Sequence, residues 1–128
     1  MKEYRPKKGK YTLPAPVYFQ AVWLIRGYYY YKDMADAIID ESPGMGDGMP
    51  HGGPSPDGVF NKATRRMKYT AITDMIDKEL AKIPQEYRQG VWDNIIWRTA
   101  FPMDAGRATY ARWKSRFIYR VAERQGLV

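Results

Sequence analysis

The sequence predicts an all-α chain, with an N-terminal antiparallel helical hairpin followed by a C-terminal helix-turn-helix-like pair of helices. Apolar residues recur at helical spacing through four segments, and Pro or Gly falls where those segments end. The first two segments are separated by one Gly/Pro-rich stretch, which suits a connection between antiparallel neighbours. The chain has 128 residues, 45% of them apolar and 15% aromatic, which fits one folded domain with its own core.

The first 14 residues, with Arg5, Lys7, Lys8 and Lys10, are expected to form a basic arm, and Pro14 and Pro16 suit a helix entry. From Val17 to about Glu41 the apolar positions Phe19, Val22, Trp23, Ile25, Met34, Ala35, Ile38 and Ile39 predict one helix. Gly27 and the run Tyr28 to Tyr31 lower its propensity without breaking the pattern. Residues 42–58 hold six Gly and four Pro among seventeen positions, so they are expected to form a loop. Asp47, His51 and Asp57 are its candidate cation ligands, but ordering so many glycines around a metal costs much entropy.

Asp57 or Asn61 is placed to cap the second helix, which runs to about Lys82. Its stripe is Phe60, Ala63, Met67, Ala71, Ile72, Met75, Ile76, Leu80 and Ile83, which suits either a hairpin contact or a dimer seam. The acids Asp74, Asp77 and Glu79 fall on its wet side, as Asp33, Asp36 and Asp40 do on the first helix. The hairpin thus covers 15–83. Pro84 sits at the first position of a third helix running to about Arg98, with Tyr87, Val91, Trp92, Ile95 and Ile96 on its apolar side. Ala100 to Gly106 is a short connection. A last helix follows from Arg107 to Arg124 and stops at Gly126, so 84–128 form the helix-turn-helix-like region. Trp92, Trp97 and Trp113 are expected core anchors.

The net charge of +7 is unevenly spread. Residues 1–11 carry five basic residues and Glu3, residues 12–97 carry nine basic against eleven acidic, and residues 98–128 carry seven basic against two acidic. The two ends are therefore strongly positive and the middle is mildly acidic, a pattern that suits an acidic partner such as duplex DNA.

On the last helix, Tyr110, Ala111, Trp113, Phe117, Ile118 and Val121 share the expected core arc, with Lys114 and Arg107 at its rim. The opposite arc holds Thr109, Arg112, Ser115, Arg116, Tyr119 and Arg120, with Glu123 its one acid. Arg112, Arg116, Arg120 and Arg124 recur every four residues and form a ridge. Guanidinium groups so placed can fork onto phosphates or take guanine O6 and N7, while Thr109 and Ser115 offer hydroxyl donors. A solvated helix usually mixes charge signs, and this face is almost single-signed. Arg98, Arg107 and Arg124 complete the candidate contacts. Arg5, Lys7, Lys8 and Lys10 form either a solvated tail or an arm laid on DNA.

No Cys is present and only one His, which excludes thiol chemistry, disulfides and His-clustered metals. There is no P-loop, dinucleotide fingerprint, HExxH or nucleophile elbow, so no enzyme activity and no cofactor are expected. Without an apolar run long enough for a signal peptide or a membrane span, the chain is expected to be soluble and cytoplasmic.

Several segments together resemble bacteriophage transcriptional regulators of the RinA/ArpU type. They are YFQAVWLIRGYYYYKD, ESPGMGDGMPHGG, IPQEYRQGVWDNIIWR and FPMDAGRATYARWKSRFIYRVAERQGL, from about Tyr18 to Leu127. Such proteins are similar to region 4 of sigma-70 factors. Ile83–Ile95 resembles the LP-x-x-x-R-x-V entry helix of that region, and Thr109 to Val121 its reading helix, with Arg112 and Arg116 as leading contacts. The resemblance implies activation of phage or prophage genes in a bacterial host, by an oligomer that binds promoter DNA and touches RNA polymerase. One departure is plain: region 4 has a full helix between those two, and FPMDAG is too short for one. The rival expectations are a small terminase-like DNA-packaging subunit and a helical adaptor that binds protein and never DNA.

Overall fold

A computed structural model describes residues 9–40 and 56–128. Arg5, Lys7, Lys8, Glu41, Asp47 and His51 lie outside the described residues, as do residues 42–55 of the expected loop and the side chains of Asp40, Asp57 and Phe60. Five helices are present, and no strand occurs among the described residues. They are α1 (Ala15–Arg26), α2 (Tyr28–Asp40), α3 (Pro56–Leu80), α4 (Gln85–Trp97) and α5 (Arg107–Arg124).

The single helix expected over 17–41 is two helices meeting at Gly27. The Gly27 N–H still bonds back to the carbonyls of Trp23 and Leu24, both at 3.1 Å. Beyond it stand four tyrosines, which lose side-chain freedom in a helix, after a glycine that is itself about 1 kcal/mol poorer than alanine. The second expected helix begins at Pro56, so Asp57 lies inside it instead of capping it, and 56–58 belong to helix and not to loop.

The chain divides into two compact units, one of Met1–Gly27 with Met75–Val128 and one of Tyr28–Asp74. The first half of the expected hairpin helix therefore belongs to one unit and its second half to the other, and the expected boundary at 83/84 falls inside the first unit.

In the first unit α1 packs against α5 and α4, and α4 packs against α5. Ala21, Val22, Ile25, Ile76, Val91, Ile95, Phe117, Ile118 and Val121 are buried there. Arg26 Nε donates to the carbonyl of Ile95 at 2.8 Å and ties the end of α1 to α4. Trp92 is buried and Trp113 half-buried, but Trp97 is 64% exposed, which corrects its expected role as an anchor. Trp97 is the last residue of α4, where the helix gives way to the left-handed Arg98. Phe19 and Trp23 of the expected apolar stripe are also exposed.

The α3–α4 corner is closed by Arg88, the arginine of the IPQEYRQGV segment. Its guanidinium donates to the Ile83 carbonyl at 2.9 Å and to the Ala81 carbonyl at 3.1 Å. Both carbonyls belong to the turn between Leu80 and Gln85. Pro84 stands at the N-cap of α4, one residue earlier than expected.

The α4–α5 connection is longer than the seven residues expected, because Arg98 ends α4 in the left-handed conformation at φ 57°. Gly90, in the middle of α4, lets the returning chain approach. A Cβ there would stand 2.7 Å from Tyr110 Cε1 and 2.8 Å from Pro102 Cδ. The Tyr110 ring is stacked on Phe101, with centres 5.3 Å apart, and takes the edge of Tyr87 at 5.4 Å. Its hydroxyl donates to Asp104, which together with burial pushes the Tyr110 pKa up to about 12. The end of α5 follows the expected glycine stop: Gly126 has φ 71°, its N–H bonds Glu123 O, and the Leu127 N–H bonds Ala122 O. That pair of bonds is a Schellman closure.

In the second unit Tyr28, Ala35 and Ile38 are buried, and the Tyr31 and Tyr69 rings stack with centres 6.2 Å apart. The expected stripe of α3 holds only toward its C-terminal end. Met75, Ile76 and Ile83 are buried, whereas Ala63, Met67 and Ala71 are exposed, Met67 to 67%.

Candidate nucleic-acid interface

The two arcs of α5 separate largely as its periodicity dictates. Tyr110, Ala111, Phe117, Ile118 and Val121 are buried, joined by Ala122 and by Lys114, which is 4% exposed and not at the rim. On the other side Arg107, Arg112, Arg116 and Arg124 are exposed, and Thr109, Ser115, Tyr119 and Arg120 are half-buried.

Arg116 is the most constrained of the arginines. Its guanidinium carbon lies 5.2 Å from the centre of the Tyr11 ring and 5.1 Å from that of Trp113. A guanidinium laid against aromatic rings keeps its in-plane N–H groups available, and those groups fork onto phosphate or guanine. Tyr11 also meets the Tyr119 ring edge-on at 5.4 Å, and Lys10 Nζ lies 5.6 Å from the Tyr11 ring centre. The turn that presents Tyr11 is closed by the Thr12 N–H on Gly9 O at 3.2 Å, with Gly9 at φ 131°. Of the expected arm, Lys10 is therefore placed beside the α5 face.

Not every candidate is equally available. Ser115 Oγ donates to the Ala111 carbonyl at 2.9 Å, so its hydroxyl hydrogen is already used within the helix. Arg124 Nε lies 3.9 Å from Glu79 Oε1. Arg98 shapes the end of α4, and Arg98 and Arg107 bracket the α4–α5 connection instead of joining the ridge. The ridge proper is Arg112, Arg116 and Arg120.

Glu79 is also misplaced by the sequence pattern: it is 2% exposed, not on a wet side. Lys82 Nζ donates to its Oε1 at 3.1 Å and lies 3.0 Å from Oε2. A carboxylate taken out of water needs such partners, and Lys82 and Arg124 keep their own heads about half in solvent. The signal was present, since Ile72, Ile76, Glu79 and Ile83 follow helical spacing and put Glu79 in the apolar stripe. Glu79 and Lys82 border a small open recess whose other wall includes Trp113, Arg116 and Arg120. The acid thus draws Lys82 and Arg124 toward itself and leaves the other three arginines as the available cations.

Among the described residues no group of three or more His, Asp or Glu side chains is placed to hold a metal ion, and no helix is long and apolar enough to cross a membrane. Comparison with protein-family models, curated proteins and solved structures gives no match in any of the three.

Proposed function

We propose that this chain is a sequence-specific DNA-binding regulator of transcription, an activator of phage or prophage genes, that lays α5 on duplex DNA. The reading is supported above all by the ridge of Arg112, Arg116 and Arg120, with the Arg116 guanidinium against the rings of Tyr11 and Trp113. Arg112 and Arg116 are assigned to base edges, with Tyr119 beside them. Arg120, Arg98 and Lys10 are assigned to phosphates, which set register without reading sequence. Arg107 and Thr109 lie in the first turn of α5, where backbone N–H groups favour a phosphate oxygen. Arg124 is a weaker contact, because Glu79 already attracts it.

The α4–α5 pair would then serve as a helix-turn-helix with an enlarged connection, nine residues from Arg98 to Gly106 where such motifs use three or four. Homo-oligomerisation and contact with RNA polymerase belong to the same proposal through the RinA/ArpU and sigma region 4 resemblance. Selection of binding sites from random duplexes, followed by fluorescence anisotropy across a salt series, tests it. A recovered motif is expected, with Arg112→Ala and Arg116→Ala each weakening its binding by about 1–3 kcal/mol and flattening the salt dependence. A protein that enriches no motif and binds duplex no better than a neutral control would sink the proposal.

A further inference from the structure

The recess beside α5 draws on two parts of the first unit. Glu79 and Lys82, at the end of α3 and in the turn after it, stand on one wall, and Trp113, Arg116 and Arg120 of α5 line the other. At about 100° per residue the arginine ridge drifts by about 40° from each member to the next, toward the Trp113 side of the helix. Arg112 therefore stays out of the recess, while Arg116 and Arg120 reach it. The bond to Glu79 does not use Lys82 up. An ammonium has three N–H donors, and the contacts with Oε1 at 3.1 Å and Oε2 at 3.0 Å take at most two. The Lys82 side chain is 53% exposed, so a ligand can reach the remaining donor. Glu79, itself buried, holds that long side chain in place before anything binds. Three cations against one carboxylate leave the recess positive and select an anion.

We infer that this recess seats one backbone phosphate of the duplex that α5 reads, held by Lys82 and Arg120, with Glu79 positioning Lys82. The inference rests on the DNA-binding reading of α5, which supplies the carrier of the phosphate. It adds a contact from outside that helix, so that the duplex touches the α3–α4 corner as well as α5. Arg116, laid against Tyr11 and Trp113, remains with the bases. Because Glu79 already orders Lys82, the lysine loses little rotamer freedom on contact, which lowers the cost of binding. A phosphate looks the same at every base pair, so the seat adds affinity and not selectivity.

The test is the double variant Glu79→Gln, Lys82→Gln, which keeps the net charge and leaves two amides able to hydrogen-bond each other. Removing Lys82 alone would strand a buried carboxylate. Anisotropy with the selected duplex and with a scrambled one, each across a salt series, gives affinity, selectivity and charge contribution together. Loss of one phosphate contact lowers the steepness of log K against log salt by about 0.9. Both duplexes are expected to weaken by the same factor, about fivefold to tenfold at about 0.1 M salt, with far-UV circular dichroism unchanged. Glu79→Gln alone keeps the Lys82 charge and is the second variant, expected to bind both duplexes more tightly than wild type with a slope at least as steep. A folded double variant with the wild-type slope, or a single variant with a shallower one, overturns the phosphate seat and leaves α5 standing. A changed ratio between the two duplexes puts Lys82 at a base edge and overturns the assignment to a phosphate. A wild-type protein that binds neither duplex overturns both readings.

Discussion

Replacing Gly90 with alanine sets two well-defined effects against each other. Judged by propensity alone, Gly90→Ala in the interior of α4 should stabilise the protein by about 0.8–1.0 kcal/mol. The packing opposes this, because the new Cβ would sit 2.7 Å from Tyr110 Cε1 and 2.8 Å from Pro102 Cδ, about 1 Å inside ordinary carbon contact. Neither neighbour can yield cheaply. Pro102 is a closed ring, and Tyr110 is buried, stacked on Phe101, edged by Tyr87 and hydrogen-bonded to Asp104. Overpacking costs about 1–3 kcal/mol, and a contact this short with two fixed rings belongs at the upper end. Setting about 3 kcal/mol against about 1 leaves a net loss of about 2 kcal/mol. Urea unfolding followed by circular dichroism should therefore show a lower midpoint with an unchanged m-value. A raised midpoint would refute the close approach of the α4–α5 connection to α4, and with it the geometry that orients α5.

Three further perturbations have defined outcomes. Because the Tyr110 pKa is raised from 10.0 to about 12, its contribution to stability is complete below pH 10 and is lost as pH rises toward 12; Tyr110→Phe should show a smaller loss of urea midpoint between pH 10 and 12 than wild type. Glu79→Gln keeps an oxygen that can accept from Lys82 but removes the buried negative charge, so the charge-assisted bond weakens, stability should fall by about 1 kcal/mol, and affinity for non-specific duplex should rise as Lys82 and Arg124 are released; reduced DNA affinity in a folded variant would contradict the assignment. Tyr11→Ala strips one ring from Arg116 and should weaken DNA binding by about 0.5–1 kcal/mol, an effect absent when Arg116 is already alanine, as a double-mutant cycle would report.

What could be seen in the sequence was what is written locally. The bounds of α5 followed from its apolar arc and from Gly126, and the α3–α4 junction from Pro84, because glycine reaches the left-handed region at no steric cost and proline fixes φ wherever they occur. The break at Gly27 was misjudged because apolar periodicity continues through it, and periodicity does not register a change of packing partner. Trp97 counted as core by residue type, whereas its place at the last turn of α4 decides its exposure. The use of Gly90 is not written locally, since it depends on Pro102 and Tyr110, twelve and twenty positions away. The clamp on Arg116 was out of reach for the same reason: Tyr11 and Trp113 come from opposite ends of the chain. The ridge on α5 was legible because four-residue spacing alone puts its arginines in line.

The turn from Gly9 to Thr12 places Tyr11 against Arg116 and Tyr119 of α5. This has a practical consequence for the choice of expression format. An N-terminal affinity handle is tethered through Met1, only eight positions before Gly9, to a segment that lies beside the arginine ridge. A polyhistidine or acidic tag there would compete with, or mimic, the partner being sought. Binding measurements are therefore cleanest on protein whose N-terminal handle has been cleaved away.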